Sequence, residues 1–253
     1  MKRRQFVQTL GAGSAVAIGA GAESMSRSGH LLPAMRWGQR IGDTKVIDMM
    51  LGVLTDPFGF GHMGVTAENV ASRHNVSRTR QDSLALESHR RASSAIRSGH
   101  FKEQITPITL NSKGRESVFD TDEHVRHDLQ EGDLSELRTI FKKDGTVTPG
   151  NSSGINDGAA ALVLMTAEKA QDLDAKPFAT IRSYALAGVD PAIMGIGPFP
   201  AMQMALKRAG LSVEDLDVIE SNEAFAAQAC AVSDLLNLPS ERVNPNGGAI
   251  ALG

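Results

Sequence analysis

The sequence predicts a layered α/β fold, and three observations carry that expectation. Residues 159–165 form an apolar run bounded by turn formers, as a fully buried strand would. Met202, Ala205, Leu206 and Ala209 recur at helical spacing behind Pro200 and stop at Gly210. A short apolar strand over 216–221 then runs into another helical stripe. Strand and helix alternate, which implies layers joined by right-handed crossovers.

Composition bounds the rest. A chain of 253 residues fits one large domain or two modest ones. Its 41% apolar and 22% charged residues are ordinary for a soluble globular protein and exclude disorder, collagen and coiled coil. Beyond the N-terminus no window approaches the ~18 uncharged apolar residues of a spanning helix, which excludes a multi-span membrane protein. Lys and Arg number 26 against 29 Asp and Glu, a net charge of -3 that removes the electrostatic footprint of a nucleic-acid binder. The single cysteine, Cys230, excludes an intrachain disulfide and a cysteine zinc site, and no metal site is expected.

Taken in chain order, residues 1–22 have two readings. Lys2, Arg3 and Arg4, an uncharged run from Leu10 and a small-residue end at Ala20-Gly21-Ala22 have the shape of a signal peptide, with Arg3-Arg4 resembling a twin-arginine signal. Val16, Ala17 and Ile18 before Gly19 to Gly21 serve equally as a buried strand entering a tight turn. A short helix is expected over 46–54 and another over 66–73. Ser77 caps a longer helix over 78–98 that ends at Gly99, where a helix-terminating glycine belongs. Residues 105–110 read as a strand, 111–145 as a polar insertion with a short helix over 133–141, and 178–187 as a further strand. Asn222 caps the last helix, whose inward stripe is Phe225, Ala229, Val232, Leu235 and Leu236.

Several stretches have the residue types of a ligand site. Ser221-Asn222-Glu223-Ala224-Phe225 ends a strand in a carboxamide, where α/β sheets bind ligands and helix N-termini offer N–H donors. Asn222 there either holds a water or carbonyl oxygen, or is only a cap. Gly61-His62-Met63-Gly64 sets an imidazole between glycines that permit close backbone approach, again with a structural alternative. Residues 148–158 and 244–253 are turn-rich loops before small apolar residues. Cys230 reads as a small buried hydrophobe, and His30, His74, His89, His100, His124 and His127 read as surface residues.

These stretches, in this order, resemble the thiolase family. The resemblance rests on Gly21-Ala22-Glu23-Ser24-Met25-Ser26, Gly61-His62-Met63-Gly64 with Thr66-Ala67-Glu68-Asn69, and residues 148–161. It continues through Gly195-Ile196-Gly197-Pro198, Asn222-Glu223-Ala224-Phe225 and residues 244–253, and so covers about residues 19–253. It implies a thiolase-like αβαβα fold, incomplete here, with an inserted α+β loop domain at about 28–145. Residues 1–18 would be a divergent or signal-like N-terminus, 19–165 part of the N-terminal half, and 166–253 the start of the C-terminal half.

The function implied is acyl transfer on acetyl-CoA or 3-ketoacyl-CoA, with the coenzyme A thioester as substrate and no resident cofactor. Asn222 matches the residue that fixes an oxyanion-hole water, and His62 with Met63 the pair beside pantetheine and the acyl group. Ser153 matches a serine that touches coenzyme A. Leu54, Arg126, Phe225 and Met194 complete the coenzyme A and acyl contacts. Pro149 and Gly29-His30 depart from the usual residues. The family's nucleophilic cysteine and activating histidine have no counterpart, so the resemblance implies an internal fragment of low activity. The alternative is a non-catalytic acyl-CoA-binding or subunit-partner protein. The family implies a cytoplasmic homodimer or homotetramer, with export through Arg3-Arg4 as the other possibility, and no nucleic-acid or membrane partner.

Overall fold

The computed structural model describes residues 16–253. Arg3, Arg4 and the rest of the signal-like segment up to residue 15 lie outside the described residues. In chain order the strands are β1 (Val16–Ser24), β2 (His30–Leu31), β3 (Ile47–Asp48), β4 (Thr55–Asp56), β5 (Gly61–His62), β6 (Ile108–Ser112), β7 (Arg115–Phe119) and β8 (Asp157–Met165). The α-helices are α1 (Met49–Val53), α2 (Met63–Arg73), α3 (Arg78–Arg97), α4 (Glu131–Ser135), α5 (Ala167–Asp172), α6 (Pro198–Ala209), α7 (Ala226–Leu236) and α8 (Ala249–Leu252).

The described residues divide into two compact units. The smaller holds residues up to 27 together with 156–182. Here β1 and β8 pair antiparallel over nine residues, from Val16 opposite Met165 to Ser24 opposite Asp157. The Asp157 carboxylate closes the open end by accepting from Ser26 N–H at 2.9 Å and Ser26 Oγ at 2.5 Å. Those two bonds favour the charged carboxylate and hold its pKa below the ordinary value. The turn expected at Gly19 to Gly21 is strand instead. The fully buried strand expected over 159–165 is also corrected: Leu162 and Val163 are exposed, because the ribbon has two strands and nothing in this unit covers its faces.

The larger unit holds residues 28–155 and 183–253. Its core gathers Val70, Val76, Val147, Ile193, Ala227, Cys230 and Ala231 around α2 and α7. Ala85, Leu134, Ala226 and Ile250 form a second cluster between α3, α4 and α8. Helix α7 is buried on every side from Ala226 to Val232 because its residues are small enough for neighbours to approach all round. Ser77 caps α3 by accepting from Arg80 N–H, and Gly210 ends α6 in the left-handed conformation, both as the sequence implies.

Other expectations move. The strand placed at 105–110 is β6, and β7 follows it in a hairpin turned at Lys113 and Gly114, which share positive φ values of 51° and 77°. The helix expected over 133–141 is α4, earlier and shorter. No strand forms over 178–187. The strand expected over 216–221 reduces to one parallel bridge, Ile219 to Val243, because no longer partner lies beside it among the described residues.

Candidate active site

The site builds from the start of α2. Strand β4 turns back on β5, and the buried Asp56 carboxylate closes that turn by accepting from the N–H groups of Phe58 and Phe60 at 2.8 and 3.0 Å. Met63 N–H donates to the Leu54 carbonyl at 2.8 Å, so Leu54, His62 and Met63 are neighbours. His62 is the N-cap of α2, and its Nδ1 accepts from Gly64 N–H at 3.0 Å. With Nδ1 acting as acceptor, Nε2 carries the proton. Burial holds the imidazole pKa below its ordinary value, so His62 is neutral at pH 7 and can donate from Nε2.

Two phenylalanines fix that ring. Phe141 stacks on His62 with centroids 4.7 Å apart, and Phe225 meets the Phe141 edge at 6.1 Å and 85°. A Cβ on Gly64 would overlap the Phe141 ring, so glycine is needed there for close approach.

Phe225 ends the connector 222–225. Its expected cap is corrected: α7 begins at Ala226 with Phe225, not Asn222, in the N-cap position. The reason is Gln228, whose Oε1 accepts from Phe225 N–H at 3.1 Å and satisfies the helix start. Asn222 is thereby left exposed, and its carboxamide makes no hydrogen bond among the described residues. Ser153 N–H donates to the Ala224 carbonyl at 3.0 Å, and Ser152 bridges Phe225, so the 148–153 loop lies along the connector. The fully buried Asn151 shapes this loop, donating to Asp82 at 2.9 Å and accepting from Thr148 N–H at 2.8 Å.

The buried Glu223 carboxylate ties the connector to the C-terminal glycine turn. It accepts from Ser88 Oγ at 2.7 Å, Asn244 Nδ2 at 2.8 Å and Ile250 N–H at 3.3 Å. Asn244 also bonds the Ser221 backbone through both ends of its carboxamide.

Hydrogen bonds and ring contacts thus join Leu54, His62, Met63, Phe225, Ser153 and the Asn222 backbone into one cluster. Met194, partly exposed, lies in the turn Pro191–Ile196, whose Gly195 faces Gln228. Arg126 joins none of these contacts. Its side chain is exposed and its backbone N–H donates to His89 Nδ1 on α3 at 3.1 Å. His89 is 4% exposed, which corrects its reading as a surface residue. Burial, reinforced by His124, Arg126 and His127, pushes its pKa down to about 4. Local sequence gave no signal for Phe141 or Gln228 as builders of the site, since each acts through partners on other segments or through the connector's backbone.

Cys230 is 2% exposed, and burial pushes its thiol up to about 11. It remains a protonated core residue, in line with its reading as a small buried hydrophobe. It lines a cavity of about 550 Å³ between α3, α7 and residues 237–244. The cavity's arginines are already paired, Arg80 with Asp234 and Arg91 with Glu87. Among the described residues no cluster of His, Cys, Asp or Glu could hold a metal ion, and no helix is long and apolar enough to cross a membrane.

Comparison with known proteins bears on the family and the fold. The thiolase N-terminal domain model matches residues 5–168, and the thiolase C-terminal domain model matches 175–253. The chain is 59% identical over 239 residues to the β-ketothiolase BktB of Cupriavidus necator, covering 94% of this chain and 61% of that protein. It is 51% identical over 249 residues to an acetyl-CoA acetyltransferase of Chromobacterium violaceum, covering 97% and 64%. The crystal structure of the Bacillus anthracis acetyl-CoA acetyltransferase superposes with a TM-score of 0.91 at 47% identity, over 94% of this chain and 60% of that one. Human mitochondrial 3-ketoacyl-CoA thiolase in complex with CoA superposes with a TM-score of 0.89 at 42% identity, over 94% and 59%. The chain therefore spans roughly three-fifths of the length of these relatives. With both domain models matched and the fold shared, the chain belongs to the thiolase family.

Proposed function

We propose that this cluster is the coenzyme A and oxyanion side of a thiolase acyl-transfer site, working by acetyl-CoA condensation or 3-ketoacyl-CoA thiolysis. The observation that carries the reading is the bond from Ser153 N–H to the Ala224 carbonyl. It sets the proposed coenzyme A loop against the connector bearing Asn222, with the His62–Phe141–Phe225 row beside it. The CoA-bound human relative supports coenzyme A as the ligand.

In the condensation direction, a thiolate sulfur attacks the thioester carbonyl carbon of acetyl-CoA. The carbonyl oxygen gains negative charge, and collapse of the adduct expels the coenzyme A thiolate. Asn222 orients the water that hydrogen-bonds the developing oxyanion, and such preorganised donors lower the barrier most where bulk water is excluded. Neutral His62 donates from Nε2 to the pantetheine or acyl carbonyl, while Met63, Leu54 and Met194 line the apolar part of the path. The coenzyme A thioester enters as substrate.

Cys230 cannot be the attacking sulfur, since a buried thiol at about 11 is protonated at pH 7. The sequence has no other cysteine, so in this reading the thiolate comes from outside these 253 residues. That observation also favours a second reading, an acyl-CoA-binding subunit partner that does no chemistry itself.

Calorimetric titration with coenzyme A tests the shared part. Saturable binding is expected, weakened at least tenfold by Ser153→Asp, whose carboxylate repels the anionic ligand; absence of binding overturns both readings. Thiolysis of acetoacetyl-CoA tests the source of the thiolate. Turnover of about 1 to 1000 per second by these 253 residues alone would overturn an external nucleophile.

A further inference from the structure

We propose that Gln228 is a positioning residue for Asn222, holding the 222–225 connector at both ends so that the Asn222 backbone, and the carboxamide it carries, keep one place on the connector that Ser153 also holds. The proposal rests on the acyl-transfer reading only for why that place matters.

The geometry points to more than a helix cap. Gln228 Oε1 accepts from Phe225 N–H at 3.1 Å, the ordinary half of a capping arrangement. Gln228 Nε2 donates to the Asn222 carbonyl at 3.0 Å, six residues back, and helix capping has no use for that bond. One planar amide therefore spans the connector, with its donor on the first residue and its acceptor on the last. Between those two points, Ser153 N–H holds the Ala224 carbonyl.

The side chain is placed rigidly. Gln228 is 4% exposed, so its amide was taken from water, and only these bonds compensate for that loss. A Cβ on Gly195 would come within 2.8 Å of Gln228 Cβ and Cγ, so the turn carrying Met194 presses directly on the glutamine stem. The stem cannot swing without displacing that turn. The exposed Asn222 has no side-chain partner among the described residues, so the hold on its backbone sets the point from which the carboxamide reaches.

The test uses the full 253-residue chain, labelled with 15N, in three forms: wild type, Gln228→Glu and Gln228→Leu. Glu keeps the acceptor for Phe225 N–H and loses the donor to Asn222; Leu loses both. In Gln228→Leu we expect Phe225 N–H to exchange about tenfold faster, and the Asn222 carboxamide and Ser153 amide resonances to move. In Gln228→Glu the Phe225 protection should return while the Asn222 carboxamide stays displaced, a split that a merely structural glutamine does not produce. An Asn222 carboxamide unmoved in Gln228→Glu overturns the proposal, and this near-isosteric variant decides the matter if the Leu variant does not fold. Coenzyme A titration of the wild type is read separately. Its failure would remove the acyl-transfer reading and leave the resonance result to stand or fall alone.

Discussion

The carboxylate of Glu68, on α2, holds Thr146 from three directions. It accepts Thr146 N–H at 2.8 and 2.9 Å on its two oxygens and Thr146 Oγ1 at 3.1 Å, and it also takes Val147 N–H at 2.8 Å. Glu68 is 4% exposed, so nothing in solvent can replace it for those N–H groups. Glu68→Ala should destabilise the chain by about 3 kcal/mol in urea unfolding, since two backbone donors lose their acceptor. Glu68→Gln keeps one acceptor oxygen and should cost about 1 kcal/mol. Equal losses in the two variants would show that the bonds to Thr146 and Val147 are not what matters.

Phe141 is what shields His62. Removing it with Phe141→Ala exposes the imidazole, so the depressed His62 pKa should rise toward its ordinary value of 6.5. The histidine ring proton signals over pH 4 to 8, followed by NMR, check this. Gly64→Ala displaces the same ring by overlap and should shift His62 in the same direction. Loss of the ring contacts should cost about 2 kcal/mol, less than a fully buried phenylalanine because Phe141 is half-buried.

His89 should make the protein sensitive to acid. Its Nδ1 accepts Arg126 N–H, so protonation would set a donor against a donor, with His124, Arg126 and His127 adding positive charge. A base whose folded pKa is lowered contributes stability above its unfolded value of 6.5, and that stability is lost as pH falls through the folded value near 4. Full loss amounts to about 3 kcal/mol. His89→Asn, which does not titrate, should flatten the fall in unfolding free energy between pH 6.5 and 4. An unchanged slope would show that His89 does not titrate at a lowered value in the folded chain.

Ile18 and Val163 face each other across the β1–β8 ribbon and are 69% and 61% exposed. Such an apolar pair on an uncovered two-stranded ladder promotes association between molecules. The double variant Ile18→Thr with Val163→Thr should reduce light scattering on storage and change stability by less than about 1 kcal/mol. Unchanged scattering would place the sticky surface elsewhere.

Much of the local structure was legible in the sequence because its causes are local. Ser77 as cap and Gly210 as stop follow from contacts within a few positions along the chain, and Cys230 as a core residue from its type among small apolar neighbours. The motifs around His62, Ser153 and Asn222 stood out by their glycines and turn formers, and most of them meet in one cluster. Arg126 does not join it, because its segment is docked on α3 through His89, a residue 37 positions away. Asn222 was read as a cap because a carboxamide before a helix satisfies N–H groups; Gln228, inside the helix, does so instead.

The amino-acid sequence by itself determined the family, the residue types of the glycine-rich loops and the lack of a second cysteine, since each is a matter of order and identity. Tertiary structure alone decided which strands stay exposed, that His89 is buried and neutral, and that one glutamine spans the Asn222 connector. Those outcomes depend on which distant group fills each hydrogen bond and covers each apolar face, and local spacing carries no record of it.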